Sequence, residues 1–104
     1  MNIQKMMKQA QKMQEELART QEELAQRTVE ASVGSGKVTV VATGGGDIIS
    51  LKIAKEIVDP EDVEFLEDLI LSGIQQAIEK GRAMQQAEMG KVTGGMGLPP
   101  GLGF

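Results

Sequence analysis

The sequence predicts one α+β domain in the order α-β-β-β-α, a three-stranded antiparallel sheet with two long helices. Three observations predict it. Residues 3–27 contain neither Gly nor Pro and repeat apolar side chains at helical spacing. Residues 28–58 are dense in Val, Ile and Thr and are cut twice by glycine turns. From residue 59 the helical period returns behind an acidic start. No internal repeat divides the 104 residues, a length that suits one domain.

The first segment is rich in Gln, Glu, Met, Lys, Ala and Leu, all good helix formers. Ile3, Ala10, Leu17 and Leu24 fall at one heptad position, and Met6, Met13, Thr20 and Arg27 at the next seam position. The apolar seam is therefore good for two heptads and then decays. Next come three strand-like runs, TVEASV (28–33), KVTVVAT (37–43) and DIISLKIAKEIV (47–58). Gly34-Ser35-Gly36 and Gly44-Gly45-Gly46 between them are sized for hairpin loops. Alternation puts Val38, Val40 and Ala42 on one face and Ile49, Leu51 and Ile53 likewise, with Lys37 and Lys52 turned away. That is a meander with one side covered.

The second helix is expected to start with Asp59 as N-cap and Pro60 in the first helical position. Glu61, Asp62 and Glu64 then favour the positive end of the helix dipole. Its buried stripe reads Val63, Leu66, Leu69, Ile70, Ile74, Ala77, Ile78 and Met84. Gly73 and Gly81 mark close packing, and Gly90 is the expected C-cap. The domain is expected over residues 1–93, with GGMGLPPGLGF (94–104) as a flexible Gly/Pro tail.

Composition narrows the chemistry. There is no His, Cys, Trp or Tyr, which removes the usual zinc sites, thiol chemistry, disulfides and the Ser-His and Cys-His nucleophile pairs. No enzyme, cofactor, metal site or small-molecule substrate is expected. Two aromatics, Phe65 and Phe104, are too few for a base-stacking platform. No apolar run approaches the ~20 residues of a membrane span, and the start has no apolar core of a secretory signal.

Length sets up an assembly. A helix of about 25 residues is roughly 37 Å long, whereas strands of six or seven residues span about 20 Å. The first helix therefore overhangs the sheet while still carrying Ile3, Met6, Ala10, Met13 and Leu17. A bare apolar strip of that kind is seldom tolerated in a soluble monomer, so a homodimer that covers these residues is expected.

Net charge is -4, which argues against a uniformly basic coat, yet the charge is unevenly placed. Residues 1–14 hold Lys5, Lys8 and Lys12 and no acid, while residues 15–30 hold five glutamates against Arg19 and Arg27. The three lysines are spaced 3 and 4 and form one stripe away from the seam. Lysines in first turns oppose the helix dipole. They also lack the i,i+4 support that Glu15–Arg19 and Glu23–Arg27 offer the arginines. A locally unfavourable choice of this kind points to an outside anion, and phosphate needs only cations on a rigid surface. The plain alternative is a solvated face that keeps a Met-rich helix soluble. Lys80, Arg82 and Lys91 form a second, weaker basic group, which also suits a helix C-terminus.

Other motifs fail on inspection. GSGKVT (34–39) has Ala31 where a phosphate-binding loop needs its first glycine, and Val38 follows the lysine. Gly44-Gly45-Gly46-Asp47 lacks a second acidic ligand for calcium. Adjacent pairs such as Glu15/Glu16 and Glu67/Asp68 cannot face each other on a helix.

Four segments in order resemble the YbaB/EbfC family of small bacterial nucleoid-associated proteins. They are MMKQAQKMQEEL (6–17), the VTV strand with its glycine turn, DPEDVEFLEDLI (59–70) and GGMGLPPGLGF (94–104). The resemblance covers nearly the whole chain. It implies a tight homodimer of tweezer-like shape that is cytoplasmic, binds double-stranded DNA in the nucleoid and acts in nucleoid organisation and transcription regulation. It implies no enzymatic activity and no cofactor. DNA contact in the family belongs to helical arms near the termini, which here implies Lys5, Lys8 and Lys12, with Lys80, Arg82 and Lys91 behind them. The competing expectation is a dimeric scaffold that binds protein partners through the Met/Gln-rich helix and the Gly/Pro tail.

Overall fold

The structure, a computed structural model, describes residues 2–95. Helix α1 spans Ile3–Gln26 and is capped by Asn2, whose Oδ1 accepts the Lys5 N–H at 3.3 Å. Strands β1 (Thr28–Val33), β2 (Val38–Thr43) and β3 (Ile48–Ile53) follow as an antiparallel meander in the order β1-β2-β3. A 3-10 turn, Lys55–Ile57, leads to helix α2 at Val63–Gly95. The element order is the one expected.

The core lies between α2 and the first two strands. Val38, Val40 and Ala42 of β2, Ala31 of β1 and Ala77 of α2 are buried, with Val29, Val33, Leu69 and Ile74 packed around them. Two helix glycines allow α2 to lie this close. A Cβ on Gly73 would stand 2.9 Å from Val40 Cγ2, and one on Gly81 would stand 2.8 Å from the Thr43 carbonyl oxygen. Both positions therefore act as the sequence suggested.

Several expectations are corrected. Asp59 does not cap α2. Its side chain accepts the Glu61 N–H and its carbonyl the Asp62 N–H, which makes a separate turn. The capping role passes to Asp62, whose Oδ1 accepts the Phe65 N–H at 3.4 Å, and Val63, expected in the buried stripe, is exposed. Gly90 does not end the helix, because the chain keeps helical backbone through it to Gly95. The expected boundary at residue 93 falls in the last turn of α2, and residues 96–104 of the expected tail lie outside the described residues.

The third strand also differs. Strand pairing shifts between Val41 and Ala42, so that Val41 faces Ser50 while Ala42 faces Ile48. Ile49 is the extra residue of a bulge, and Ile48 takes its place beside the core row. Because α2 lies over β1 and β2, this side of β3 is largely uncovered: Ile48 and Leu51 remain about two-fifths exposed.

Both helices project from one end of the sheet. At that end the Gly44 N–H meets the carbonyls of Leu24 and Arg27, and Gly44 also approaches the Met84 methyl. Past Gly81 helix α2 leaves the sheet, and α1 arrives there from outside, packing on α2 more than on any strand. Met13, Leu17, Thr20 and Leu24 are partly or fully buried along α1, and Met84, Glu88 and Val92 are partly buried along α2. The chain measures 71 × 23 × 16 Å with a radius of gyration of 19.4 Å, where a compact chain of this length has about 13 Å.

Candidate nucleic-acid interface

From residue 2 to residue 12 every side chain is exposed. This end of α1 reaches beyond the part that α2 covers, and it carries Lys5, Lys8 and Lys12 on one side of the helix. Among the described residues none of the three lysines forms an ion pair. On another side of the same end stand Ile3 and Met6, 69% and 54% exposed, with Ala10 after them. Met13 and Leu17, grouped with them by the seam, are already half-covered within the chain. The helical spacing thus sorts the end of α1 into a cationic side and an apolar side.

The second basic group is not one cluster. Lys80 lies against the sheet, its Nζ donating to the Glu30 carbonyl at 2.8 Å. That acceptor is neutral, and among the described residues Lys80 forms no ion pair. Arg82 is exposed and, two residues on, points to roughly the opposite side of the helix. Lys91 stands three turns beyond Lys80 and donates to Glu88 Oε1 at 3.2 Å.

Sequence reasoning missed the partner of Arg27. Expected to pair with Glu23 one turn back, its guanidinium instead reaches across to α2, with Nη1 at 3.1 Å from Glu88 Oε1. Arg27 and Lys91 therefore share one carboxylate oxygen at the root of the two arms. Their hydrogen bonds, that of Arg27 foremost, hold the Glu88 carboxyl below its usual range, so it is ionised at neutral pH. Helical spacing finds contacts within one helix; a pair between two helices has no such signal.

Among the described residues no group of three or more acidic, His or Cys side chains is placed to hold a metal ion. No described helix is long and apolar enough to cross a membrane. What the arms offer is cationic side chains at fixed spacing on rigid helices, which suits an extended polyanion.

Comparison with known proteins agrees with this chemistry. The model of the YbaB/EbfC DNA-binding family matches residues 1–96. A nucleoid-associated protein of Acetivibrio thermocellus is 55% identical over 101 residues, covering 97% of this chain and 89% of its own length. Another, from Akkermansia muciniphila, is 52% identical over 104 residues, the full length of both chains. An uncharacterized protein of Helicobacter pylori, known from a crystal structure, superposes with a TM-score of 0.73 at 18% identity. That alignment covers 84% of this chain and 91% of the other, a likeness of fold.

Proposed function

We infer the function from one premise: the chain belongs to the YbaB/EbfC DNA-binding family. The reading is a nucleoid protein of the cytoplasm that binds double-stranded DNA as a homodimer. Its arms touch the sugar-phosphate backbone, and it serves nucleoid organisation and transcription regulation. It needs no cofactor and performs no catalysis.

The observation that carries this reading is the stripe of Lys5, Lys8 and Lys12 on the projecting end of α1, which forms no ion pair among the described residues. Three cations spaced over about 10 Å of rigid helix suit successive phosphates and read no base edge. Lys80, Arg82 and Lys91 would supply supporting contacts. Dimerisation is supported by the apolar side of the same end, where Ile3, Met6 and Ala10 continue the row of Met13 and Leu17. The open face of β3 adds a second uncovered apolar surface. A second copy that covers either surface removes an exposed apolar strip and puts two lysine stripes in one assembly.

The test is fluorescence anisotropy of a labelled mixed-sequence duplex across a salt series. Wild type is compared with a Lys5/Lys8/Lys12→Gln variant whose oligomeric state has been matched by light scattering. Six lysines of a dimer on phosphate give a log-log slope near about -5. Loss of that slope in the variant supports the arms as the site. Equal binding by both proteins moves the site to cations outside the stripe, Lys80, Arg82 or Lys91. A wild type that binds no duplex at low salt overturns the reading in favour of a protein scaffold that docks through exposed Met6 and Met7.

A further inference from the structure

We propose that Arg27 and Lys91 form a second phosphate-binding site at the root of the arms, occupied in the free protein by the Glu88 carboxylate. The site rests on the DNA reading above and adds to it a contact that the lysine stripe does not supply.

Two cations from different elements converge on a single oxygen, Glu88 Oε1, at 3.1 and 3.2 Å. Without an anion between them they would repel each other, so the arrangement is already that of an anion site. A phosphate oxygen makes the same charge-assisted hydrogen bonds, and the arginine fork suits it geometrically. The cations are open to an incoming ligand: the Arg27 side chain is 51% exposed and that of Lys91 74%, against 25% for Glu88. Exchange needs only that Glu88 withdraw toward water and the phosphate take its place, one ion pair for another.

Position favours a duplex as the source of that phosphate. Along α1, Arg27 lies about 22 Å from Lys12 and about 33 Å from Lys5 at 1.5 Å per residue. That is too far for one phosphate. It is close to the ~34 Å of one B-DNA turn, so the root and the tip of an arm can meet the same duplex where its backbone comes round again. Glu88 then acts as an internal competitor that lowers affinity and makes the root engage only when a real phosphate is delivered by binding at the tips.

Binding of the labelled mixed-sequence duplex tests this with E88Q, with R27Q/K91Q and with the triple combination, each checked by circular dichroism. The expected results are tighter binding by E88Q, by several-fold, and weaker binding by R27Q/K91Q. The double variant should also flatten the log-log salt slope by about 0.9 per cation lost. In the R27Q/K91Q background, E88Q should change little, because the groups it releases are gone.

A gain that persists undiminished in that background would mean Glu88 acts only as distant charge and would overturn the site. So would an E88Q protein that binds no tighter than wild type. R27Q/K91Q leaves Glu88 untouched, so an unchanged slope there overturns the site even where E88Q folds poorly. Failure of the wild type to bind would remove the DNA reading and this site together. Wild-type binding with an unmoved R27Q/K91Q variant removes this site alone.

Discussion

The sheet end of the molecule and its arms are built by different rules. Beneath α2 the packing is close: Val38, Val40, Ala42 and Ala77 are fully buried, and the helix touches the sheet through glycines. Along the arms the pattern inverts. Asn2 and residues 3–12 of α1 are all exposed, large apolar side chains included, and the ion pairs at the root are open to water. A fold stabilised at one end can carry unfavourable chemistry at the other, because local stability is not uniform along a structure. The arms need not be optimal for folding, which leaves their side chains to a ligand or to a second copy.

The comparison breaks most visibly at the joint. Leu24 is 1% exposed and packs where α1, the β2–β3 turn and α2 meet. Leu24→Ala should cost about 3 kcal/mol, the usual loss for emptying a buried leucine site. Urea denaturation gives that figure directly. A loss below about 1 kcal/mol would mean the joint closes around the cavity and the arms are not anchored there.

Two glycines of one helix sharpen the contrast, since the same substitution should have opposite signs in the two regions. At Gly81 an added methyl meets the Thr43 carbonyl oxygen at 2.8 Å, a backbone atom that cannot swing aside. Gly81→Ala should therefore lose about 1–2 kcal/mol, the crowding penalty outweighing the helix propensity gained. At Gly90 the same methyl meets nothing within 4 Å. Gly90→Ala should raise stability by about 0.5–1 kcal/mol through propensity alone. Thermal melts of both variants check the signs, and a destabilised Gly90→Ala would show that the arm packs against something.

Much of this division was legible in the sequence and some was not. Element order followed from period and glycine turns, and Gly73 and Gly81 announced close packing because glycine inside a helix needs a reason. At the start of α2 Asp59 and Asp62 both suit a cap, and only the path of the chain decides between them. Ile48 and Ile49 are adjacent and equally apolar, so alternation alone does not reveal which one a bulge displaces. Gly90 resembled a stop signal, yet the helix runs on through it as part of the arm. The lysine stripe needed only helical spacing to be seen. The Arg27–Glu88–Lys91 group needed two distant segments to meet, which no local pattern encodes.

The smallest expected effect on stability belongs to the residues with the largest expected effect on binding. Lys5, Lys8 and Lys12 form no ion pair among the described residues, and Lys5 sits in the first turn of α1, at the positive end of the helix dipole. Replacing all three by Gln removes one charge that the dipole disfavours, breaks no ion pair among the described residues and keeps good helix formers in place. The thermal midpoint of the Lys5/Lys8/Lys12→Gln protein should therefore stay at the wild-type value or rise slightly, at a protein concentration where both have the same oligomeric state. A clear fall would mean that the stripe is paired within the assembly, against acidic side chains of a second copy. The lysines would then be structural, and the cations at the root of the arms would become the first place to seek the DNA contact.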